Sequence, residues 1–264
     1  MGARSGSTTL GFVLRAQPIR DADLIVTLFT QELGKISALA RGARRSQRRF
    51  AGALGQLVVS TFELSRASPR AELWTLESAT VEREWLELAS EVAAVAHASY
   101  ALELVRELLP SETPEPEAFA LMVDLWESLR SGVSTASLRH VELRLLSLAG
   151  TPPALESCAA CGAQLLPEEP CLFDPARGGA ICAACAPHSR GAGARPFSAQ
   201  ARRYLMAIAA AADVAAAREL VRPHEPDAAD RGAARDAMLA MIRVLVPHPL
   251  KTVEFIAKLN QAGG

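Results

Sequence analysis

Two Cys-x2-Cys pairs separated by twenty residues, Cys158 with Cys161 and Cys182 with Cys185, constrain this chain more than any other feature. Each pair fits one tight backbone bend, and two such bends can present four thiolates as the corners of a tetrahedron, the geometry that zinc adopts. Between the pairs, CLFDPARGGAIC (171–182) reads as a short β-hairpin, with Asp174-Pro175 and Gly178-Gly179 as turn residues and Ile181 leading back to Cys182. The expectation is a zinc ribbon built on one structural Zn2+ ion, because four filled positions leave none for a substrate water. Two other arrangements use the same residues. A pair of disulfides would need an oxidising compartment, which nothing else in the chain suggests. His140-x-Glu142 followed by Cys158-x2-Cys161 follows the order of a zinc nucleobase deaminase, with Glu142 as proton shuttle. Against it, Ser157 stands where that signature has Pro, and Cys182 and Cys185 would have no task. The fifth cysteine, Cys171, reads as a small buried residue of the hairpin, and His188 lies near enough to be an alternative ligand.

Upstream, residues 8–80 hold five short apolar runs rich in β-branched and aromatic residues: LGFVL (10–14), LIVTLF (24–29), KISAL (35–39), QLVVSTFEL (56–64) and AELWTL (71–76). Five strands in this length suit a small closed barrel of the OB type, with an SH3-like barrel or a small sandwich as alternatives. The opening MGARSGSTT is small and polar and reads as a frayed end. Between the third and fourth strands, Arg41, Arg44, Arg45, Arg48 and Arg49 crowd into nine residues with no acid among them, and Lys35 lies just before. Such a run repels itself unless it meets a polyanion, and guanidinium groups clamp phosphates and stack on bases. Phe50 closes the run, either as a stacking face or as a plug for the barrel.

From Thr80 the apolar spacing becomes helical, with stripes over 85–109, 119–129 and 138–148, and again from Ser198 to Leu259. Ser134 or Thr135 and Ser198 are the expected N-caps. The ribbon therefore reads as an insertion, entered after Pro152-Pro153 and left through SRGAGARP (189–196). The expected architecture is α+β: an OB-type barrel over 1–80, a helical domain over 81–153 and 197–264, and the ribbon over 154–196. Charge follows the same division. Residues 1–62 carry nine Lys/Arg against three acids, whereas residues 82–127 carry two Arg against eleven acids. A basic front on an acidic middle suggests a polyanion-binding module joined to a part that meets no polyanion. No apolar run reaches transmembrane length and no signal-peptide pattern opens the chain, so the expected location is the cytoplasm.

Several longer stretches are similar to a known family. GFVLRAQPIRDADLIVTLFTQELGKISALARGARR (11–45) with RRFAGALGQ (48–56), then LRLLSLAGTPPALESCAACG (143–162), FDPARGGAICAAC (173–185) and HPLKTVEFI (248–256) resemble the RecO family, bacterial mediators of DNA recombination and repair. The resemblance implies the order barrel, helical domain and zinc element, and a function without bond chemistry. It implies binding of single- and double-stranded DNA and annealing of complementary strands. It also implies RecA loading, with RecR, onto DNA coated by single-strand DNA-binding protein, RecF as a further partner, and a nucleoid-associated location. On that basis Lys35, Arg41, Arg44, Arg45, Arg48 and Arg49 are the expected DNA contacts, and Cys158, Cys161, Cys182 and Cys185 the expected metal ligands. Arg139, Arg202, Arg203 and Lys251 are candidate cations for the acidic tail of the single-strand binding protein. A zinc-ribbon protein adaptor that does not touch DNA is the other non-enzymatic alternative.

Overall fold

A computed structural model describes residues 5–19, 21–46, 48–68, 71–189, 193–224 and 226–262. Five strands open the chain: β1 (Ser5–Pro18), β2 (Leu24–Thr30), β3 (Gly34–Ala40), β4 (Val58–Arg66) and β5 (Trp74–Glu84). They close into a barrel in the order β1-β2-β3-β5-β4, with β3 and β5 parallel and the other pairs antiparallel. This is the OB-like barrel expected from the strand pattern. Closure leaves the sheet without a free edge.

Alternation along the strands separates two apolar faces. Val13, Val26, Leu28, Ile36, Ala38 and Phe62 fill the barrel interior. Phe12 faces the other way and meets Phe29, Phe119 and Trp126 at centroid distances of 5.5, 5.3 and 5.2 Å. β1 is longer than its apolar run, and Ser5 to Thr9 pair with Arg66 to Phe62 of β4. The polar start therefore belongs to the ladder from Ser5 onward, and the first four residues of that supposed frayed end lie outside the described residues. Gly11 marks the point where β1 leaves β4 for β2, and a Cβ there would stand 2.6 Å from the carbonyl oxygen of Phe29. Helical spacing was expected from Thr80, but β5 continues to Glu84 because β4 offers it partners as far as Val58.

The chain divides into two compact units, one ending at Trp126 and one beginning at Glu127. The first unit adds to the barrel a short 3-10 turn, α1 (Val92–Leu108) and most of α2 (Pro116–Leu129). Of the expected stripe over 85–109, Trp85, Leu88, Leu102, Val105 and Leu109 are buried but Val92 is exposed, and Ala94, Ala98 and Ala101 complete the buried face of α1. The second unit contains α3 (Thr135–Leu148), strands β6 (Cys171–Asp174), β7 (Gly179–Ile181) and β8 (Arg195–Phe197), then α4 (Ala199–Ala209), α5 (Val214–Val221), α6 (Ala228–Leu245) and α7 (Lys251–Ala262). Ser134 and Ser198 cap α3 and α4 as expected, each accepting from the N–H three residues on. Among the described residues no helix is long and apolar enough to cross a membrane.

β6 and β7 form the expected hairpin, but the sheet has a third strand, in the order β7-β6-β8. The exit read as a Gly-rich linker thus ends in β8, which pairs Phe197 with Cys171 and Arg195 with Phe173. Gly179 is required by proximity: a Cβ there would lie 2.3 Å from the carbonyl oxygen of Ala154. The cluster around the cysteines is small, with Cys158, Leu165, Ala180 and Ile181 as its buried residues, while Phe173 of β6 is buried against Phe197 of β8 at a centroid distance of 5.3 Å. Arg202 of α4 supplies a further tie. It is fully buried, and its guanidinium donates to the carbonyls of Leu155, at 3.1 Å, and Leu166. Arg202→Leu would leave the buried Leu155 carbonyl without a donor, at about 1–3 kcal/mol, and would remove the tie to the more exposed Leu166 carbonyl. Urea denaturation followed by circular dichroism is expected to show a loss of about 3 kcal/mol, whereas Arg203→Ala on the exposed side of α4 changes stability by less than about 0.5 kcal/mol.

Candidate metal centre and basic loop

The first Cys-x2-Cys bend is folded by short-range backbone bonds, from Gly162 N–H to the Cys158 carbonyl (2.8 Å) and from Cys158 N–H to the Ala163 carbonyl (2.8 Å). The second bend repeats the device, with Cys185 and Ala186 N–H donating to the Cys182 carbonyl at 3.1 and 2.9 Å. β6 and β7 lie between the bends and bring them face to face. The four sulfurs lie within 4.8 Å of one another. Cys161 Sγ and Cys182 Sγ are 3.9 Å apart, close to the edge of about 3.8 Å that a tetrahedron of zinc–thiolate bonds of about 2.3 Å would have. All five cysteines are free thiols, which removes the disulfide alternative. Burial pushes the Cys158 thiol up, but N–H groups of Cys182, Ala160 and Cys161 donate to it and hold it down at about 6. Cys185 is pushed up to about 12, first by its contact with the Cys182 thiol and then by that with Cys161. Four thiols this close cannot all ionise alone; a divalent cation removes that conflict, so the donor set fits a metal ion.

Cys171 is outside this group, half-buried on β6 with its sulfur 3.8 Å from the Phe197 carbonyl, as its reading as a hairpin residue implied. His188 is not among the clustered ligands either. The deaminase arrangement does not form. His140 is buried on α3 with Nδ1 3.1 Å from the Ile208 carbonyl, and Glu142 is buried in an ion pair with Arg139 at 2.6 Å. The remaining partners of Cys158 and Cys161 are Cys182 and Cys185.

The basic loop leaves β3 at Ala40 and folds back on the turn between β1 and β2. Gly42 N–H donates to Asp23 Oδ1 (2.8 Å), and Arg44 donates from its backbone to Ala22 (3.1 Å) and from Nη1 to Asp21 (3.2 Å). Arg49 donates to the Arg41 carbonyl at 2.5 Å and lies over the Phe50 ring, 4.9 Å from its centroid. All five arginines are exposed. Among the described residues, the guanidinium groups of Arg41, Arg45 and Arg48 have no hydrogen-bond or ion-pair partner. Phe50 is buried in the barrel and offers no stacking face, so the plug alternative holds. Lys35 stands apart from this group. Its ammonium is half-buried and donates to the carbonyls of Arg106 and, at 2.6 Å, Leu109 at the C-terminal end of α1. Burial pushes it below the ordinary lysine value, while Glu107 pulls it up. Sequence spacing held no signal for this contact, which joins residues more than seventy positions apart.

Of the cations considered for an acidic peptide, Arg139 and Arg202 are buried with internal partners and cannot reach one. Arg203 and Lys251 are on the surface, Arg203 donating to the Pro167 carbonyl at 3.1 Å.

Fold and site define a class: an OB-like barrel with an exposed arginine loop, followed by helices that carry a cluster of four cysteines able to hold a metal ion. Comparison with known proteins places the chain within that class. The family models described as Recombination protein O N terminal and Recombination protein O C terminal match residues 5–84 and 89–253. A protein of Geobacter sulfurreducens named DNA repair protein RecO is 34% identical over 249 residues, 94% of this chain and 96% of its own length. Its namesake in Myxococcus xanthus is 32% identical over 250 residues, again 94% and 96%. One from Anaeromyxobacter sp. (strain K) is 44% identical over 178 residues, 67% of this chain and 69% of its own. The chain belongs to the RecO family.

The thiolate geometry makes a direct prediction. Cobalt(II) added to metal-free protein should give the visible absorption of a tetrahedral tetrathiolate with one ion per chain. Cys161→Ser or Cys182→Ser should abolish that spectrum, and Cys171→Ser should leave it intact.

Proposed function

We propose that the chain is a non-enzymatic mediator of DNA repair and homologous recombination, which binds single- and double-stranded DNA and anneals complementary strands. The observation that carries this is the exposed arginine loop on a closed barrel, where the guanidinium groups of Arg41, Arg45 and Arg48 lack a described partner; the family, whose relatives are named DNA repair proteins, supports it. Arg41, Arg44, Arg45, Arg48 and Arg49 would neutralise phosphates, and holding two strands on one cationic surface lowers their repulsion. Lys35 would act behind them, by holding α1 to the barrel that carries the loop. With RecR, the protein would help load RecA onto DNA coated by single-strand binding protein, and RecF would be a further partner. These are properties of a cytoplasmic, nucleoid-associated protein. The functional division would follow three segments: 1–80 for DNA, 81–153 with 197–264 for proteins, and 154–196 for the metal. Cys158, Cys161, Cys182 and Cys185 would hold a single structural Zn2+, which supplies folding energy to a hairpin with little apolar core and takes no part in DNA pairing.

Strand annealing tests this reading. Two complementary strands, each coated with single-strand binding protein, are expected to pair without nucleotide in the presence of wild-type protein. Arg45→Glu/Arg48→Glu, which touches no described intramolecular partner, should slow pairing by about tenfold or more. If about four to six phosphates are contacted, affinity for a single strand should fall with salt at a log–log slope of about −3 to −4. Equal annealing by both proteins would move the site off the loop. Absence of DNA binding by folded, metal-loaded wild type would favour the protein-adaptor alternative.

A further inference from the structure

A second cationic surface lies within the unit that begins at Glu127, in a cleft of about 560 Å³ between the metal-bearing hairpin and α6. Arg177, His188, Arg195 and Arg243 line it, from the hairpin turn, the segment after the second cysteine bend, β8 and α6. Asp174 is the one carboxylate in the lining and is already occupied. It is buried, accepts from the N–H of Ala176 and Arg177 at 3.1 and 3.4 Å, and stands 3.5 Å from Arg177 Nε. Arg195 and Arg243 have no side-chain hydrogen bond or ion pair among the described residues. The neighbours of Arg243 one turn away on α6 are Leu239 and Ala240 before it and Val246 and Pro247 after it, so its helix offers no counter-charge. Glu254 lines the adjoining groove without pairing to it.

Three guanidinium groups around a concave surface, with one neutralised carboxylate between them, make a focused positive potential. Guanidinium forks match phosphate oxygens bidentately. No Phe, Tyr or Trp lines the cleft, so its charge is aimed chiefly at phosphate. Its apolar continuation, through Met241, Val244 and Leu245 of α6 beside Pro152 and Pro175, suits the sugar edge of a strand. We infer that this cleft is a second phosphate site for DNA, with Arg195 and Arg243 as its principal contacts and Arg177 as support. The inference rests on the mediator reading and extends it: with the barrel loop and this cleft on separate units, a single chain has two places to hold nucleic acid.

The test uses the full, metal-loaded chain. Fluorescence anisotropy with a labelled oligo-dT strand gives affinity against salt for wild type, Arg195→Glu/Arg243→Glu, the loop variant Arg45→Glu/Arg48→Glu, and the fourfold combination. The cleft pair should weaken binding about fivefold or more and flatten the salt slope by about 1.4, two single-strand phosphates at about 0.7 each. The fourfold variant should bind more weakly than either pair. Arg195→Gln/Arg243→Gln, which adds no repulsion, should flatten the slope equally with a smaller loss of affinity. Unchanged metal content and urea midpoint would confirm that these surface changes leave the fold intact. Wild-type affinity and slope in the cleft variants, with the loop variant impaired, would overturn the cleft and leave the mediator reading standing. No DNA binding by wild type would overturn both. Unchanged DNA binding with loss of polyglutamate binding would reassign the cleft to an acidic protein partner.

Discussion

Within each of the two units, a cation drawn in from solvent serves backbone carbonyls of a neighbouring segment. In the first unit Lys35 meets the last carbonyls of α1, where a helix ends with acceptors lacking intrahelical donors and with the negative end of its dipole. In the second, Arg202 meets Leu155 and Leu166, on either side of the first cysteine bend. Each solves the same problem. A carbonyl taken out of water without a donor costs more than an ordinary hydrogen bond returns, and a charged donor with several N–H groups can satisfy two carbonyls at once. The cations gain as well, since neither is left without acceptors in its buried position.

The metal element shows why such ties are needed. Few residues are buried around its cysteines, and its hairpin strands are short. Thiolate coordination would close it from within, and Arg202 and the added strand β8 fasten it to the helices from without. The consequence is functional as well as mechanical: the hairpin turn is held beside α6, and this juxtaposition forms the cationic cleft.

The basic loop follows a different logic. Its backbone is pinned to the turn between β1 and β2 by the Asp23 carboxylate and the Ala22 carbonyl, and the Arg44 side chain by the Asp21 carbonyl, while the guanidinium groups of Arg41, Arg45 and Arg48 are left without described partners. A fixed backbone with unpaired charge would limit the ordering cost of binding a polyanion there. Phe50 contributes from inside the barrel, under the Arg49 guanidinium, and not as a stacking platform.

The sequence by itself determined what short-range periodicity and spacing can encode. Short apolar runs rich in β-branched and aromatic residues marked the five barrel strands, Ser134 and Ser198 marked two helix starts, and two Cys-x2-Cys bends named the four clustered cysteines, because each signal lies within a few residues of its cause. It misplaced the ends of β1 and β5, since strands extend as far as their partners do and a partner is a tertiary fact. An exposed basic surface was legible only where charge is contiguous, as for Arg41, Arg44, Arg45, Arg48 and Arg49. The spacing of Lys35, Arg139 and Arg202 could not separate a solvent-facing cation from a buried one, because that depends on which carbonyls or carboxylates the fold delivers to it. Tertiary structure alone decided that Arg177, Arg195 and Arg243, from three distant segments, face one cleft.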